Sequence, residues 1–448
     1  MTASVYLKSF GCQMNALDGE LAIGELLGRG WRRAEDIASA DLILFNTCSV
    51  RQHAEDKVWS HLGMLARRKA KHPGLLIGVM GCMAERAGRE ILDRMPHVDF
   101  VTGPNRFRAL PDILARVAEG ERVLETGPAD REFTAPRHVA ARPNRFQAYI
   151  AVMRGCDHYC SYCIVPFTRG PEASRRPAEI LEEARALAAD GVVEITLLGQ
   201  NIDSYGKKFR DGTSLATLLR ALEDVPGLRR VRFITSHPAD LTDDILRAMA
   251  ECPRACPYLH LPAQSGANRI LDLMKRRYTR EGFLALVARA REVVPGLAVA
   301  SDIIVGFPTE TEADFEESVS LAETARFTMA YVFKYSPRPG TKAAGGLPDD
   351  VPMETKKRRN NALLAVVERI MNEKNRKRLG SVEEVLVEGT SKLDPARVTG
   401  RARDNRIVVF SGSEDLAGKY VNVRITGATS FVLVGTPEFA ASSLKDKF

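Results

Sequence analysis

The sequence predicts an α/β protein with three successive regions: an N-terminal parallel α/β region, a central partial barrel of six βα units and a small all-β barrel at the C-terminus. Two observations support this prediction. Short β-rich runs alternate with helical runs from the N-terminus to about residue 340, the pattern of parallel sheets covered by helices. From residue 382 onward the runs are only β-rich, with glycine and asparagine at the turns.

The N-terminal region, which we place at residues 2–118, contains repeated strand–helix units. The runs VYLKSF, ADLILFNTC and LLIGVMGC have the composition of strands, and LDGELAIGELLGRG and AEDKVWSHLGMLARRKAK that of the helices between them. A linker that contains proline and arginine follows at about 127–145. The alternation therefore predicts a sheet that forms one domain, followed by a separate unit.

The central region, at 142–374, carries about six βα units, with helices expected to begin near Pro177, Asp243 and Thr311. A closed barrel of this type has eight units, so we expect an open one. The C-terminal region, at 377–439, contains five short strands, which predicts a small barrel of the oligonucleotide-binding type.

Composition narrows the possible compartments and partners. No apolar run reaches the roughly 18 residues of a membrane span, and the first residues lack an apolar stretch typical of a signal peptide. We therefore expect a cytoplasmic protein without a membrane partner. Eight cysteines in a reducing compartment favour metal binding or catalysis over disulfides. The net charge of +7 permits a nucleic-acid partner without proving one.

The most specific motif is a compact cysteine loop with the spacing C-x3-C-x2-C, formed by Cys156, Cys160 and Cys163. A fully ligated 4Fe–4S cube takes four cysteines, so three leave one iron open to a small chelating molecule. The alternative is a structural zinc site with His158 or a remote residue as its fourth ligand. The loop therefore predicts a metal centre and leaves its chemistry open.

Three further cysteines, Cys12, Cys48 and Cys82, each follow a predicted strand of the N-terminal region. Residues just after parallel strands meet at the carboxyl edge of a sheet, where ligands bind. Gly11 and Gly81 precede two of these cysteines and would let the backbone approach a bulky cluster. The alternative is that all three are buried structural thiols.

Eight motifs extend over nearly the whole chain: Phe10-Gly-Cys-Gln-Met-Asn15, Asn46-Thr-Cys-Ser-Val-Arg51, Gly81-Cys-Met-Ala-Glu-Arg86, Cys163-Ile-Val-Pro-Phe-Thr-Arg-Gly170, Leu198-Gly-Gln-Asn201, Thr235-Ser-His-Pro238, His260-Leu-Pro-Ala-Gln-Ser-Gly266 and Tyr335-Ser-Pro-Arg-Pro-Gly-Thr341. With the cysteines and the terminal barrel, they resemble the methylthiotransferase family of radical S-adenosylmethionine (SAM) enzymes. The Cys-Ser-Val-Arg and Gly-Cys-Met-Ala-Glu-Arg forms are most similar to the branch that modifies N6-dimethylallyladenosine in tRNA.

The resemblance implies methylthiolation at C2 of N6-isopentenyl (dimethylallyl) adenosine next to the anticodon, at position 37 of tRNA. It implies two 4Fe–4S clusters and two SAM molecules. The compact loop would hold the cluster that cleaves SAM to a 5′-deoxyadenosyl radical, with Tyr162 near the adenine. Cys12, Cys48 and Cys82 would hold the sulfur-donating cluster. The implied partners are the tRNA anticodon stem-loop and a flavodoxin- or ferredoxin-type reductant, with the enzyme itself a monomer.

Two other functions remain open on the residues alone. One is methylthiolation of a different target, either threonylcarbamoyl-adenosine in tRNA or a ribosomal protein. The other, outside enzymes, is a metal-stabilised tRNA-binding protein, which would explain the basic barrel and the cysteines but not an open coordination site.

Polar residues that follow barrel strands are candidates for contacts with SAM, because substrate-facing residues collect there. Gln200 and Asn201 follow one strand, where the alternative is a turn with an asparagine cap. Arg175 could pair with the SAM carboxylate in a bidentate manner, or be a surface arginine. At Gly306 either adenine approaches closely or the glycine serves packing. Further candidates of this kind are Ser236, His237, Gln264 and Asp302.

The last barrel resembles the TRAM domain of RNA-modifying enzymes. Four arginines that we expect to be exposed suit an RNA backbone: Arg397, Arg401, Arg403 and Arg406. The basic segment 356–378 is predicted to be helical and either binds tRNA phosphates or is simply a solvated face. Cys252 and Cys256 are interpreted as packing thiols.

Overall fold

The structure is a computed structural model that describes residues 3–50, 52–128, 137, 141–142 and 144–438. Arg51, most of the linker at 127–145 and the outermost positions of the expected domains, residues 2 and 439, lie outside the described residues. No helix among the described residues combines the length and the apolar character needed to cross a bilayer.

The N-terminal region forms a parallel sheet in the order β2-β1-β3-β4-β5-β6. Helices pack on both faces, so the central strand β3 is buried along its whole length, as its apolar LILF run requires. The strands are β1 Ser4–Phe10, β2 Arg32–Arg33, β3 Leu42–Thr47, β4 Leu76–Gly81, β5 Phe100–Thr102 and β6 Val123–Glu125. The helices are α1 Gln13–Leu27, α2 Gln52–Lys71, α3 Cys82–Arg94 and α4 Leu110–Ala118.

The central region confirms the predicted open barrel of six parallel strands. They form two three-stranded parallel sheets, β11-β10-β7 and β12-β13-β14, linked where the Ser236 amide donates to the His260 carbonyl oxygen at 3.1 Å. The barrel strands are β7 Gln147–Ala151, β10 Glu194–Leu198, β11 Arg230–Phe233, β12 Tyr258–His260, β13 Ala298–Val305 and β14 Met329–Lys334. A short antiparallel pair, β8 Met153–Arg154 and β9 Ala173–Ser174, flanks the cysteine loop.

Helices cover the outside of this barrel and enclose the largest apolar core of the molecule. They begin close to the predicted positions, since proline and the threonine caps favour a first helical turn there. The helices are α5 Val165–Arg169, α6 Pro177–Ala189, α7 Leu215–Leu222, α8 Asp243–Glu251, α9 Asn268–Leu273, α10 Arg280–Val293, α11 Glu312–Ala325, α12 Lys342–Gly346 and α13 Met353–Arg376. Helix α1 of the N-terminal region packs against β7, joining the two regions.

The C-terminal region is a closed barrel in the order β15-β16-β17-β19-β18, which confirms the five-stranded prediction. Its strands are β15 Val382–Thr390, β16 Arg397–Ala402, β17 Ile407–Ser411, β18 Tyr420–Ala428 and β19 Val432–Glu438. Alternate residues point inward and form a separate apolar core, as the period of a strand dictates.

Two buried arginines at the start of β11 dock this small barrel onto the central region. Arg230 donates to the carbonyl oxygen of Arg401 at 2.9 Å and forms an ion pair with Glu384 at 2.8 Å. Arg232 donates to the carbonyl oxygen of Ala402 at 2.9 Å. Main-chain carbonyls of the β16–β17 turn are therefore satisfied by guanidinium groups of the neighbouring domain.

The expectation that four arginines of this barrel are exposed is wrong, because part of that face is the docking surface. Arg403 donates to the carbonyl oxygen of Ala255 in the central region at 3.2 Å. Arg406 is 11% exposed and pairs with Asp404. A strand pattern in the sequence does not reveal which polar face another domain covers. All four arginines are only partly accessible to solvent: Arg397, Arg401, Arg403 and Arg406.

The basic segment 356–378 is helical as predicted up to Arg376, the last residue of α13, and residues 377–378 belong to the turn that follows. Cations in the first turns of this helix are engaged within the protein. Lys356 pairs with Asp349 at 2.5 Å, and Arg359 pairs with Glu310 at 2.8 Å. These two charges stabilise the fold and are not available to a ligand.

Replacing Arg230 by alanine should lower the free energy of unfolding by roughly 3 kcal/mol or more, because buried carbonyls and Glu384 lose their partner. Arg229 contacts the same carboxylate at 2.9 Å but is 52% exposed, so Arg229→Ala should cost less than about 1 kcal/mol. Chemical denaturation and limited proteolysis at the junction of the two domains would measure both. Equal losses in the two variants would contradict the docking role of Arg230.

Candidate cluster and cofactor sites

The three dispersed cysteines lie side by side at the carboxyl edge of the N-terminal sheet. Cys12, Cys48 and Cys82 follow β1, β3 and β4, which are adjacent strands in the sheet. The Cys12 thiol donates to Asn15 Oδ1 at 3.2 Å, and the Val50 amide donates to Cys48 Sγ at 3.3 Å. The predicted convergence at one point is therefore present in the fold.

Mutual contacts shift the acidity of these thiols. The hydrogen bond with Cys48 is the main cause that lowers the pKa of Cys12 to about 6, and the same bond raises the pKa of Cys48. Burial raises the pKa of Cys82, although Arg169 opposes that change. Metal ions bind the thiolate form of cysteine. A group of three close thiols, one of which ionises readily, is therefore a donor set suited to a metal cation.

Gly81 is needed by the sheet itself rather than by a bound cluster. Its φ is +98°, a conformation that side-chain-bearing residues rarely adopt. A Cβ there would lie 2.5 Å from Asn46 Oδ1 and 2.7 Å from the Thr47 carbonyl oxygen. The predicted reason for this glycine, approach to a bulky cluster, is therefore replaced by close packing on β3.

An arginine–aspartate network that sequence reasoning missed joins the two cysteine groups. Arg169, at the end of α5, donates through Nε to Cys82 Sγ at 3.2 Å and pairs with Asp18 at 2.6 Å. Asp18 also pairs at 2.8 Å with Arg154, two residues before the compact loop. Burial alone would lower the pKa of Arg169, but Asp18 and the thiols of Cys82 and Cys12 raise it, so the guanidinium stays charged.

The compact loop lies between β8 and α5, at the carboxyl end of β7. The Cys163 amide donates to the Cys160 carbonyl oxygen at 3.0 Å, so the loop turns tightly around its thiols. Burial raises the pKa values of Cys156 and Cys163 to about 12. Such thiols ionise when a metal centre supplies the compensating positive charge.

His158, a possible fourth ligand in the zinc alternative, is engaged elsewhere. It contacts Asp240 at 2.5 Å, and its ring stacks on His237. A zinc ion at the compact loop would therefore need a remote residue as its fourth ligand.

Gln200 and Asn201 lie beside the compact loop. Gln200 Oε1 accepts a hydrogen bond from the Gly155 amide at 2.5 Å, which supports the loop backbone. Asn201 donates to Asp240 at 2.8 Å, while its buried Oδ1 has no hydrogen-bond partner among the described residues. An unsatisfied buried acceptor at this edge suits a polar ligand, since leaving it unpaired is costly.

Ser236 and His237 are held by Asp203, which sequence reasoning did not identify. Asp203 accepts from Ser236 Oγ at 3.0 Å and from the His237 amide at 2.9 Å, and burial raises its pKa to about 7. The His237 ring stacks on His158 with centroids 3.7 Å apart. Burial lowers the pKa of His237 to about 2, so the ring is neutral.

Together with Asp240, the two histidines place three nitrogen and oxygen atoms within 4.8 Å of one another. The stacked rings and the His158–Asp240 bond account for this grouping as a support for the cluster loop. Its signal in the sequence is weak because His158 is far along the chain from His237 and Asp240.

Tyr162 lies in the compact loop, and Gln264 follows β12 at the carboxyl end of the barrel. Tyr162 packs against an apolar cluster that includes Phe307 and Tyr335. Gln264 has a φ of +67°, and its amide donates to the Asp302 carbonyl oxygen at 2.8 Å. Strained backbone of this kind clusters at binding sites.

Two other candidates, Gly306 and Arg175, make packing contacts within the protein. Gly306 accommodates Lys356, whose Cγ would lie 2.3 Å from an added Cβ, so the adenine prediction is wrong there. Arg175 is 5% exposed and donates to Glu183 at 2.6 Å, so the surface-arginine alternative is also wrong. Asp302 contacts His260 at 3.2 Å.

The two remaining cysteines, Cys252 and Cys256, are both buried, at 5% and 2% exposure. They lie between α8 and β12, away from both cysteine groups along the barrel strands. The packing interpretation of these thiols agrees with this position.

Three known protein families match three successive segments of the chain, which correspond to the three structural regions. The radical SAM superfamily matches residues 150–322. The uncharacterized protein family UPF0004 matches residues 4–103, and the TRAM domain matches residues 376–437. The compact cysteine loop lies in the radical SAM match, and the three dispersed cysteines lie in the UPF0004 match.

Curated relatives resemble the chain over nearly its full length. A tRNA-2-methylthio-N(6)-dimethylallyladenosine synthase of Rhodopirellula baltica is 46% identical, covering 97% of this chain and 95% of the relative. A synthase of the same name from Syntrophomonas wolfei is also 46% identical, covering 95% and 96%.

Solved structures are similar in fold at much lower identity. The radical S-adenosylmethionine methyltransferase TsrM from Kitasatospora setae, solved with cobalamin and a 4Fe–4S cluster, has a TM-score of 0.57 at 15% identity and covers 77% of each chain. The cobalamin-dependent radical enzyme OxsB has a TM-score of 0.52 at 12% identity, covering 82% of this chain and 56% of that one.

Proposed function

The chain belongs to the family of tRNA-2-methylthio-N(6)-dimethylallyladenosine synthases, and from this premise we propose how its residues divide the reaction. It is a radical SAM enzyme that methylthiolates N6-dimethylallyladenosine in tRNA. The target atom is C2 of that base at position 37, and two SAM molecules are used for each product. The observation that carries the division is the presence of six thiols in two separate groups of three.

Each group of thiols is assigned one 4Fe–4S cluster. Cys156, Cys160 and Cys163 bind the cluster that takes up SAM, because they have the C-x3-C-x2-C spacing and lie in the segment that matches the radical SAM superfamily. Cys12, Cys48 and Cys82 bind the auxiliary cluster. The donor sets suit these groups in chemistry, because each brings three thiols together at the carboxyl ends of parallel strands.

Bound iron–sulfur clusters supply the electron that cleaves SAM and the sulfur that is transferred, while the protein binds, orients and shields. Gln200 holds the loop backbone at Gly155. Asn201 offers its unpaired Oδ1 to SAM, and Ser236 and Gln264 lie on the same side of the barrel. Tyr162 is placed near the adenine, and Arg175 acts through the ion pair with Glu183 rather than by direct contact.

tRNA is the macromolecular partner, and the TRAM domain is the part of the chain that supports its binding. We assign the anticodon stem-loop as the bound segment and a flavodoxin- or ferredoxin-type protein as the reductant. Residues 2–118, 142–374 and 377–439 are the proposed domain limits. Because its substrate is tRNA, we expect the enzyme to act in the cytoplasm, and we expect it to be a monomer.

The purified, reduced enzyme should methylthiolate an anticodon stem-loop that carries isopentenyladenosine and leave one with threonylcarbamoyl-adenosine unchanged. An apolar tail contributes about 0.8 kcal/mol per buried methylene, whereas an unpaired buried carboxylate is costly. Unmodified adenosine should therefore also react poorly. Mass spectrometry of the released nucleosides gives the readout. A faster reaction of the threonylcarbamoyl stem-loop would show that the enzyme instead methylthiolates threonylcarbamoyl-adenosine.

A further inference from the structure

An open cavity of about 490 Å³ lies where the central and C-terminal barrels meet. Its floor includes the segment from Gly296 to Ala298, and Ala298 is the first residue of β13. The cysteine groups follow the carboxyl ends of parallel strands, whereas this cavity opens at the amino end. It is therefore separate from the proposed catalytic site.

Six cationic side chains line the cavity, and among the described residues no carboxylate does. They come from four separate elements, the end of α10, the segment after α11, the end of α13 and the β16–β17 turn: Arg291, Arg326, Lys374, Lys377, Arg378 and Arg406. Cations in the last turn of a helix compensate its dipole, which accounts for charges at α10 and α13. It does not account for six cations around one space.

Three of the six have carboxylate partners outside the lining. Arg326 pairs with Glu373 at 2.6 Å, and Arg378 pairs with Asp404 at 2.7 Å. Arg406 pairs with the same aspartate. Arg378 also pairs with Glu383 at 3.3 Å, so these three arginines are balanced by three carboxylates, and the uncompensated charge of the cavity lies on the other three cations.

The other three have no carboxylate partner in the part of the chain that the structure describes. Arg291 donates to the Arg326 carbonyl oxygen at 3.0 Å, while Lys374 and Lys377 form no ion pair there. The pKa of Lys374 is lowered to about 7, and burial is the largest cause. The next causes, in order, are the neighbouring cations Arg291, Arg406, Arg326 and Lys377. These three cations therefore repel one another, and no carboxylate of the described residues is paired with them.

We propose that this cavity is an anion site for a phosphate-bearing ligand larger than a single orthophosphate. Phosphate oxygens accept several charge-assisted hydrogen bonds at once, and arginine and lysine are the side chains that supply them. Ligand pockets in proteins range from about 300 to 1,000 Å³, so the cavity has room for a pyrophosphate or a longer polyanion. The ligand is either a free polyphosphate or a stretch of nucleic-acid backbone.

The test uses the full-length enzyme with pyrophosphate as the probe, at constant ionic strength. Lys374→Gln removes an unpaired cation of the cavity, and Lys357→Gln removes an exposed lysine of the same helix that pairs with Glu354. Lys374→Gln should weaken pyrophosphate binding in calorimetry by roughly tenfold, the scale of one charge-assisted bond, and Lys357→Gln should leave it unchanged.

Thermal melting without ligand separates this role from a structural one. Lys374→Gln should melt at the same temperature as the parent or higher, because it relieves repulsion, while a supporting residue would lower it. A lower melting temperature together with unchanged pyrophosphate affinity would overturn the proposal.

Labelled tRNA distinguishes the two sources of phosphate. Loss of tRNA affinity in Lys374→Gln but not in Lys357→Gln, with competition by pyrophosphate, identifies the nucleic-acid backbone. Pyrophosphate binding that tRNA does not displace identifies a free polyphosphate. If both affinities are the same in parent and Lys374→Gln proteins, the cavity is not an anion site, whatever the outcome of the methylthiolation assay.

Discussion

Replacing Cys156, Cys160 and Cys163 by alanine is expected to abolish reductive cleavage of SAM, whereas replacing Cys12, Cys48 and Cys82 should leave cleavage and stop sulfur insertion. The reason is that only the compact loop has the C-x3-C-x2-C spacing and lies in the segment that matches the radical SAM superfamily, while the other group lies at the edge of the N-terminal sheet. Release of 5′-deoxyadenosine and formation of the methylthio product measure the two activities separately.

Iron content checks the same assignment independently of activity. Two 4Fe–4S clusters give about eight irons per chain after anaerobic reconstitution, and either triple variant should retain about four. Cys252→Ala is the matched control, because this buried cysteine belongs to neither group. SAM cleavage that required Cys12, Cys48 and Cys82 rather than the compact loop would reverse the assignment.

Replacing Arg169 by alanine should reduce retention of the auxiliary cluster and thus sulfur insertion, with less effect on SAM cleavage. Arg169 is the central-region residue that donates to Cys82 and pairs with buried Asp18. Removing one partner of a buried ion pair typically costs about 3–5 kcal/mol, so the edge of the N-terminal sheet should loosen as well.

Arg169→Lys is the control for this prediction, since lysine keeps the charge but loses the fork that contacts Asp18 and Cys82 together. We expect it to keep more iron than Arg169→Ala and to shift the reduction potential of the auxiliary cluster. An unchanged iron content and potential in Arg169→Ala would show that the contact with Cys82 is incidental.

Local pattern was sufficient to predict both cysteine groups and all three folds. Cys12, Cys48 and Cys82 follow strands whose parallel order was readable from alternation, and parallel strands end at one edge. The compact loop needs only short-range spacing. Prediction succeeded here because these features depend on neighbours in the chain or on the repeat of a βα unit.

Other residues received their roles only from contacts between distant segments. Gly306 looked ready to admit adenine, but Lys356 of α13 fills the space beside it. Arg175 looked free for a carboxylate, but Glu183 binds it. Arg406 was expected to be exposed, but the docking of the small barrel partly buries this residue of the β16–β17 turn.

The sequence by itself therefore determined the fold class, the two sets of thiols and the family, because periodicity and spacing are properties of the chain. Tertiary structure alone decided that Arg169 reaches Cys82, that Asp203 holds Ser236, and that six cations surround one cavity. The physical reason is that ion pairs and cavities depend on which surfaces pack together, and packing joins residues that the sequence leaves far apart.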